Sequence, residues 1–448
     1  MASKVMKPSL LSNLSKRGYA AQAAAAAAQQ SVYTLPHQDP KVTTLPSGTV
    51  VASLENHAPV SRIAVLFKAG SRYESASNLG ASHMLRTCTG LGTKNISHFA
   101  ITRTIQQIGG SLTALSGREH LLYGLDVIRD NLDEGLKVLG DVASHPAFKP
   151  WEMKDNHRRF QTEFALLDSS TVAMELLHRA SFRNTGLGNS VFVPDHHIGK
   201  LSSDVLSNYV DSTHLASRMA VVGLGVDHDT LISCVNSLGV PAGEGAAGFS
   251  SYGGGEIRKE TGAAITIVAV AGEGASIGSS DAAALAVAQH ILGVGPNIKY
   301  GCNAGSVLSQ AVAASGGIGM ASSININYSD TGLFGYFIIA DSASVHKVLD
   351  ASHKAVMSLK VTEADVARGK NQVKATILMA SESGAENLED MGLQALLTGH
   401  YVSPTAAAAA IDAVTPAAVE VALKKVSGSK LSMSIVGDVS KVPYLDQL

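Results

Sequence analysis

Long apolar runs are missing from this chain. The longest, such as Ala263 to Ala271, span about nine residues, half of what a membrane-crossing helix needs, so any membrane association is expected to come through partners. An excess of charge of one sign is missing too. With 35 Lys and Arg against 37 Asp and Glu, and no basic stripe interleaved with aromatics, there is no electrostatic case for nucleic-acid binding. Cysteine is scarce and odd in number: Cys88, Cys234 and Cys302 lie far apart with no C-x-x-C. They read as reduced structural thiols of a non-secreted protein, not as a disulfide framework or a metal site. No haem-attachment, iron-sulfur or Ser-His-Asp spacing is present, so electron transfer by the chain itself is not expected. Acid is absent from Met1 to Gln38, which carry Lys4, Lys7, Lys16 and Arg17 among Ser, Leu and Ala. That is the composition of a mitochondrial presequence. Residues 1–37 are assigned to it and to its Ala-rich extension, with cleavage expected after Tyr19 in Lys16-Arg17-Gly18-Tyr19-Ala20; a disordered cytosolic tail is the alternative.

A further absence is chemical. Gly80-Ala81-Ser82-His83-Met84-Leu85-Arg86-Thr87-Cys88 has the outline of a zinc-peptidase helix. In an H-x-x-E-H helix the two His, at i and i+4, bind zinc from one face and the Glu between them activates water. Here only His83 stands; Arg86 occupies the Glu position and Thr87 the second His position. Arg has no lone pair and stays protonated, so it neither ligates zinc nor takes a proton from zinc-bound water. At about 5 Å and an effective dielectric of about 20 it repels a dication by roughly 6 kcal/mol. One imidazole does not offset that, and neither catalysis nor metal binding is expected.

With 448 residues the chain holds two to four domains. Thr49 to Leu54 and Ser61 to Ala69 read as strands around a Ser47-Gly48 turn, followed by helices at Leu79 to Thr89 and at Ser97 to Ile108, the latter ended by Gly109-Gly110. A strand pair over Ser111 to Leu125, a helix at Asp130 to Ser144 and a long helix from Lys149 to about Asp168 complete an α+β order without a strict βαβ rhythm. The chain then repeats itself. Arg62 to Gly70 is echoed by Ala264 to Gly272, Pro150-Trp151-Glu152-Met153 by Val361-Thr362-Glu363-Ala364, and Met219 to Gly223 by Met433 to Gly437, at offsets of 202, 211 and 214. The expectation is two homologous α+β halves of about 200 residues, 38–240 and 256–448, joined by a flexible Gly- and Ser-rich linker at 241–255 and enclosing a cavity.

With these features together, the chain resembles the pitrilysin-type family, which includes the mitochondrial processing peptidase subunits and the core proteins of the cytochrome bc1 complex. The first half carries Gly70-Ser71-Arg72-Tyr73-Glu74, the Gly80 to Leu85 run, Gly109 to Ala114 and Ser116-Gly117-Arg118-Glu119-His120. The second half carries Val294 to Gly301, Asn327 to Gly335 and Leu393-Gln394-Ala395-Leu396, which are similar to the bc1 core proteins. The resemblance spans Gln38 to Leu448 and implies a third zinc-ligand position at Glu163, here an ordinary acid because its partners are missing. An ion pair between Arg86 and Glu163 is expected to occupy the vacated site. The resemblance further implies a non-catalytic structural subunit on the matrix side of the mitochondrial inner membrane. Its implied partners are a second core protein, cytochrome b, cytochrome c1 and the Rieske protein. Those partners carry haem b, haem c1 and the 2Fe-2S cluster, and this chain carries no cofactor. The alternative is the non-catalytic, substrate-recognising subunit of the processing peptidase, whose Gly-rich loop Val294-Gly295-Pro296 matches poorly. His196-His197 and Gly253-Gly254-Gly255 read as loop features, not as metal or phosphate sites.

Overall fold

The computed structural model describes residues 38–183, 185–245, 247–295 and 305–448. The presequence with its cleavage site, Cys302 and residues 296–304 of the Gly-rich loop lie outside them. In the first half, β1 (Lys41–Thr44), β2 (Val50–Leu54) and β3 (Val60–Phe67) lead to α1 (Ala81–Cys88) and α2 (His98–Gln107). The hairpin β4 (Ser111–Ser116) and β5 (Leu121–Ile128) precedes α3 (Leu132–Ser144), α4 (Pro150–Ala165), α5 (Ser169–Phe182) and α6 (Ser203–Thr213), and β6 (Met219–Leu224) and α7 (His228–Ser237) close the half. The second half runs β7 (Gly255–Glu260), β8 (Ile265–Glu273), α8 (Ser280–Leu292), α9 (Val307–Ser315), β9 (Gly319–Asn327) and β10 (Gly332–Asp341). It ends with α10 (Val345–Met357), α11 (Glu363–Glu382), α12 (Gly384–Thr398), α13 (Pro404–Asp412), α14 (Pro416–Gly428) and β11 (Ser432–Gly437).

The two sheets repeat one topology. Their orders are β1-β2-β6-β3-β5-β4 and β7-β11-β8-β10-β9. In each, one parallel pair (β2 with β6, β7 with β11) sits beside an antiparallel one (β6 with β3, β11 with β8). The landmark segments are β3 against β8 and β6 against β11, while Pro150 and Glu363 open α4 and α11.

Why β3 and β8 read as continuous apolar runs follows from their coverage. On β3, Ile63, Val65 and Phe67 enter the core of the first half, while Ala64 and Leu66 pack against Leu388, Met391 and Ala395 of α12, a helix of the second half. On β8, Val268 and Val270 face the second core, while Ala269 and Ala271 pack with Leu177 and Phe182 at α5, a helix of the first half. Each half therefore roofs the other's sheet, and a strand buried on both faces loses alternation. Gly392 lets α12 close on β3, since a Cβ there would lie 2.7 Å from Leu66 Cδ1. Each buried Leu or Met contributes about 1.5–3 kcal/mol, so the exchanged helices bind the halves into one body.

Two expectations change. The long helix ends at Ala165, because Asp168 accepts from Thr171 N at 3.2 Å and caps a new helix, α5. The linker is also tied down along its length. Gly248 O accepts from Arg72 Nε at 3.0 Å, Ser250 Oγ from Leu187 N at 2.9 Å, and Gly253 N donates to Ser181 O at 2.8 Å. Its composition suits a free tether, but backbone groups laid against the protein need partners and find them here.

Candidate functional site

The site is built on α1, whose start is fixed by a buried acid. Glu74 accepts from Gly80 N at 2.7 Å, Ser82 N at 2.8 Å and Ser82 Oγ at 2.6 Å, occupying the free amides of the first turn. Gly80 has φ +88°, and a Cβ there would meet Val193 Cα at 2.6 Å, so the entry turn requires glycine. Ala81, Met84 and Leu85 sink into the core, which turns His83 and Arg86 toward α4.

There Glu163 gathers three donors. Arg86 Nη2 lies 2.5 Å and His83 Nε2 3.0 Å from Oε2, and Arg159 Nε donates to Oε1 at 3.1 Å. His83 Nδ1 accepts from Val193 N at 3.2 Å, so the ring proton sits on Nε2 and points at Glu163. Phe160 and Phe192 hold the imidazole edge-on at centroid distances of 5.4 and 5.5 Å. Burial pushes the His83 pKa down, and the Arg86 charge lowers it further. For Glu163, burial acts upward, but the His83 hydrogen bond and the Arg86 charge prevail and hold the carboxyl below its usual range. Near neutral pH the cluster is a neutral imidazole, a carboxylate and two guanidinium groups.

The structure thus brings His83, Arg86 and Glu163 together and leaves Thr87 apart. Its hydroxyl donates to Met84 O at 2.9 Å and bonds back onto its own helix. A zinc ion does not fit these residues: a catalytic site needs three protein ligands, and only His83 and Glu163 offer donor atoms here, with Arg86 on the same carboxylate oxygen. Among the described residues no group of three or more His, Cys, Asp or Glu is placed to hold a metal. The arrangement pins α1 to α4 by charge where an active peptidase would use metal. Arg86→Met is therefore expected to cost about 1–2 kcal/mol in urea unfolding. Unchanged stability would show that the pair contributes nothing.

Other singled-out residues take structural places. His197 Nδ1 lies 3.3 Å from Leu79 O, and His196 lines a cavity of about 320 Å³ beside the site, walled by Phe164, Leu176, Phe192, Arg179 and, from the second half, Lys259. Gly254 bends the chain at φ +66° into β7. Cys88 is a free thiol that burial pushes up to about 12, and Cys234 is likewise free.

Sequence reasoning quoted Arg72, Glu119 and Asp330 only within motifs; the structure makes them one joint. Arg72, 6% exposed, donates to Glu119 Oε1 at 2.5 Å, to Asp330 Oδ1 at 2.8 Å and to Gly248 O. Glu119, 4% exposed, also accepts from Ser329 N at 3.0 Å and Ser329 Oγ at 2.6 Å. Both halves and the linker thus meet at one guanidinium. Beside it Arg118 donates to Glu175 at 2.5 Å and to Asn189 O at 2.7 Å, and His178 Nε2 meets Tyr328 Oη across the halves at 2.7 Å. The one sequence signal was the presence of charge in Gly- and Ser-rich surroundings, which names no partner.

Comparison with known proteins agrees with this architecture. A sequence model of the insulinase family, peptidase family M16, matches residues 50–195, and one described as the peptidase M16 inactive domain matches residues 200–373. The chain is 40% identical over 419 residues to cytochrome b-c1 complex subunit 2, mitochondrial, of Mus musculus, covering 92% of each. It is 39% identical to the Homo sapiens protein of that name, again over 92% of each. Identity is 30% to probable mitochondrial-processing peptidase subunit alpha-2 of Arabidopsis thaliana, over 91% of this chain and 84% of that one.

Proposed function

The chain belongs to peptidase family M16, and on that premise we propose that it is core subunit 2 of the mitochondrial ubiquinol-cytochrome c reductase. In this reading it is non-catalytic and supports the assembly and stability of a complex that moves electrons from ubiquinol to cytochrome c. The observation that carries it is identity of 40% to a subunit 2, over 92% of each chain, against 30% to a processing-peptidase alpha subunit. The site agrees, since Arg86 stands where the H-x-x-E-H motif has the Glu that activates water.

The chain faces the matrix from the inner membrane and pairs with core protein 1. Cytochrome b, cytochrome c1 and the Rieske protein carry haem b, haem c1 and the 2Fe-2S cluster, and this chain needs none of them. Attachment through partners is supported by the helices: among the described residues no single helix is long and apolar enough to cross a membrane. The bent pair α13 and α14 turns through 93° and buries Ile411, Val419 and Ala422 in the second core. Large apolar side chains on the outside, Phe99 at 74%, Trp151 at 64% and Leu166 at 78% exposure, suit a subunit whose surface is covered in an assembly.

The test is fractionation of mild-detergent-solubilised mitochondria. Comigration of the chain with haem b and haem c1 in a particle of several hundred kilodaltons is the expected result. A soluble pair that cleaves presequences would instead make it a processing-peptidase subunit, and zinc near one per chain would overturn the non-catalytic reading.

A further inference from the structure

A cavity of about 270 Å³ opens in the second half, away from the His83 cluster, between the sheet and helices α10 and α14. Its floor is apolar: Val270, Phe334 and Tyr336 are each at most 3% exposed. Val356 of α10 and Leu423 of α14 add apolar lining from the helices. The lining also includes the polar groups Lys360, Lys424, Glu420 and His353. Among the described residues the ammonium group of neither lysine makes an ion pair or a hydrogen bond, whereas that of the adjacent Lys425 pairs with Asp281 at 2.5 Å. His353 Nδ1 is engaged by Tyr336 Oη at 2.9 Å, and burial holds its pKa below the ordinary value. Two lysines, one glutamate and a neutral imidazole leave one net positive charge beside an apolar slot.

We infer that this cavity binds a single-chain carboxylate amphiphile, a fatty-acid anion, with its tail on Val270, Phe334 and Leu423 and its headgroup between Lys360 and Lys424. One slot of this size takes one alkyl chain, and one net positive charge matches one carboxylate. Desolvating the tail supplies affinity, and the lysines select an anion over an alcohol.

The test is titration of the full chain with dodecanoate by calorimetry and native mass spectrometry. One saturable equivalent is expected. Shortening the probe to decanoate removes two methylenes and is expected to weaken binding about 10- to 15-fold. Dodecanol is expected to bind at least several-fold more weakly. Lys360→Glu combined with Lys424→Glu is expected to weaken dodecanoate binding about tenfold and leave dodecanol unaffected; both lysines are exposed, so folding is retained. Leu423→Trp fills the slot and is expected to abolish binding of both probes. Absence of saturable binding, equal affinity for acid and alcohol, or unaltered binding in the charge-reversed variant would each overturn the inference.

Discussion

Arg72→Ala is expected to lower the unfolding free energy by about 3–5 kcal/mol, because it strands a buried carboxylate. Glu119 is 4% exposed, and without the guanidinium it keeps only the Ser329 donors. The side chain of Asp330 is 46% exposed and is screened by water, so most of the loss comes from Glu119. Arg72 also caps Gly248 O, so the linker loses an anchor in the same variant. The double variant Arg72→Ala with Glu119→Ala removes the stranded charge and is expected to recover part of the loss, the sign of true coupling. Urea unfolding measures the first effect and limited proteolysis at 241–255 the second. A loss below about 1 kcal/mol with an uncut linker would show that the halves are held by the exchanged helices alone.

That joint marks where the sequence stops being readable. The partners of Arg72 lie 47 and 258 residues away, and no local pattern connects them. The apolar pattern located β3, and the internal repeat marked the segments that form β8, β6 and β11, because apolar side chains on strands must be buried wherever the strand goes. Neither signal spoke to α5 and α12, since an apolar helix stripe is the same whichever sheet it covers. The pairing of His83 with Arg86 was legible for a geometric reason, since residues three apart on a helix share a face, whereas Glu163 on α4 was reached only through the family resemblance. The aromatic walls from Phe160 and Phe192, and the Val193 amide that sets the His83 tautomer, come from contacts no spacing encodes. Asp168 could have been read, since Asp-Ser-Ser-Thr is a helix-start signature that outweighs the apolar pattern running through Leu166 and Leu167.

Acid is expected to unfold this protein early, through histidines buried without a charge partner. His214, 4% exposed, stacks on Phe67 at a centroid distance of 4.1 Å, and burial lowers its pKa to about 3. His120 is lowered to about 4 by the same cause, and burial drives His178 well below its ordinary value. The sign follows from proton uptake. Each group titrates near 6.5 when unfolded and binds its proton less readily when folded, so the unfolded chain holds more protons at mildly acid pH. The stabilisation is fully present above 6.5 and is lost as pH falls toward and through about 4 for His120 and about 3 for His214. Between pH 6.5 and pH 5 each of these two costs about 2 kcal/mol, and His178 adds to the slope. Glu163 is held low and works in the same direction at lower pH, while Glu74, raised by burial despite its hydrogen bonds, opposes it. Urea midpoints at pH 7 and pH 5 are expected to differ accordingly, and His214→Gln, which cannot take up the proton, is expected to flatten the slope by close to one proton. A slope unchanged by that substitution would mean that His214 charges within the fold, and that its place against Phe67 and Tyr123 opens to water before the protein unfolds.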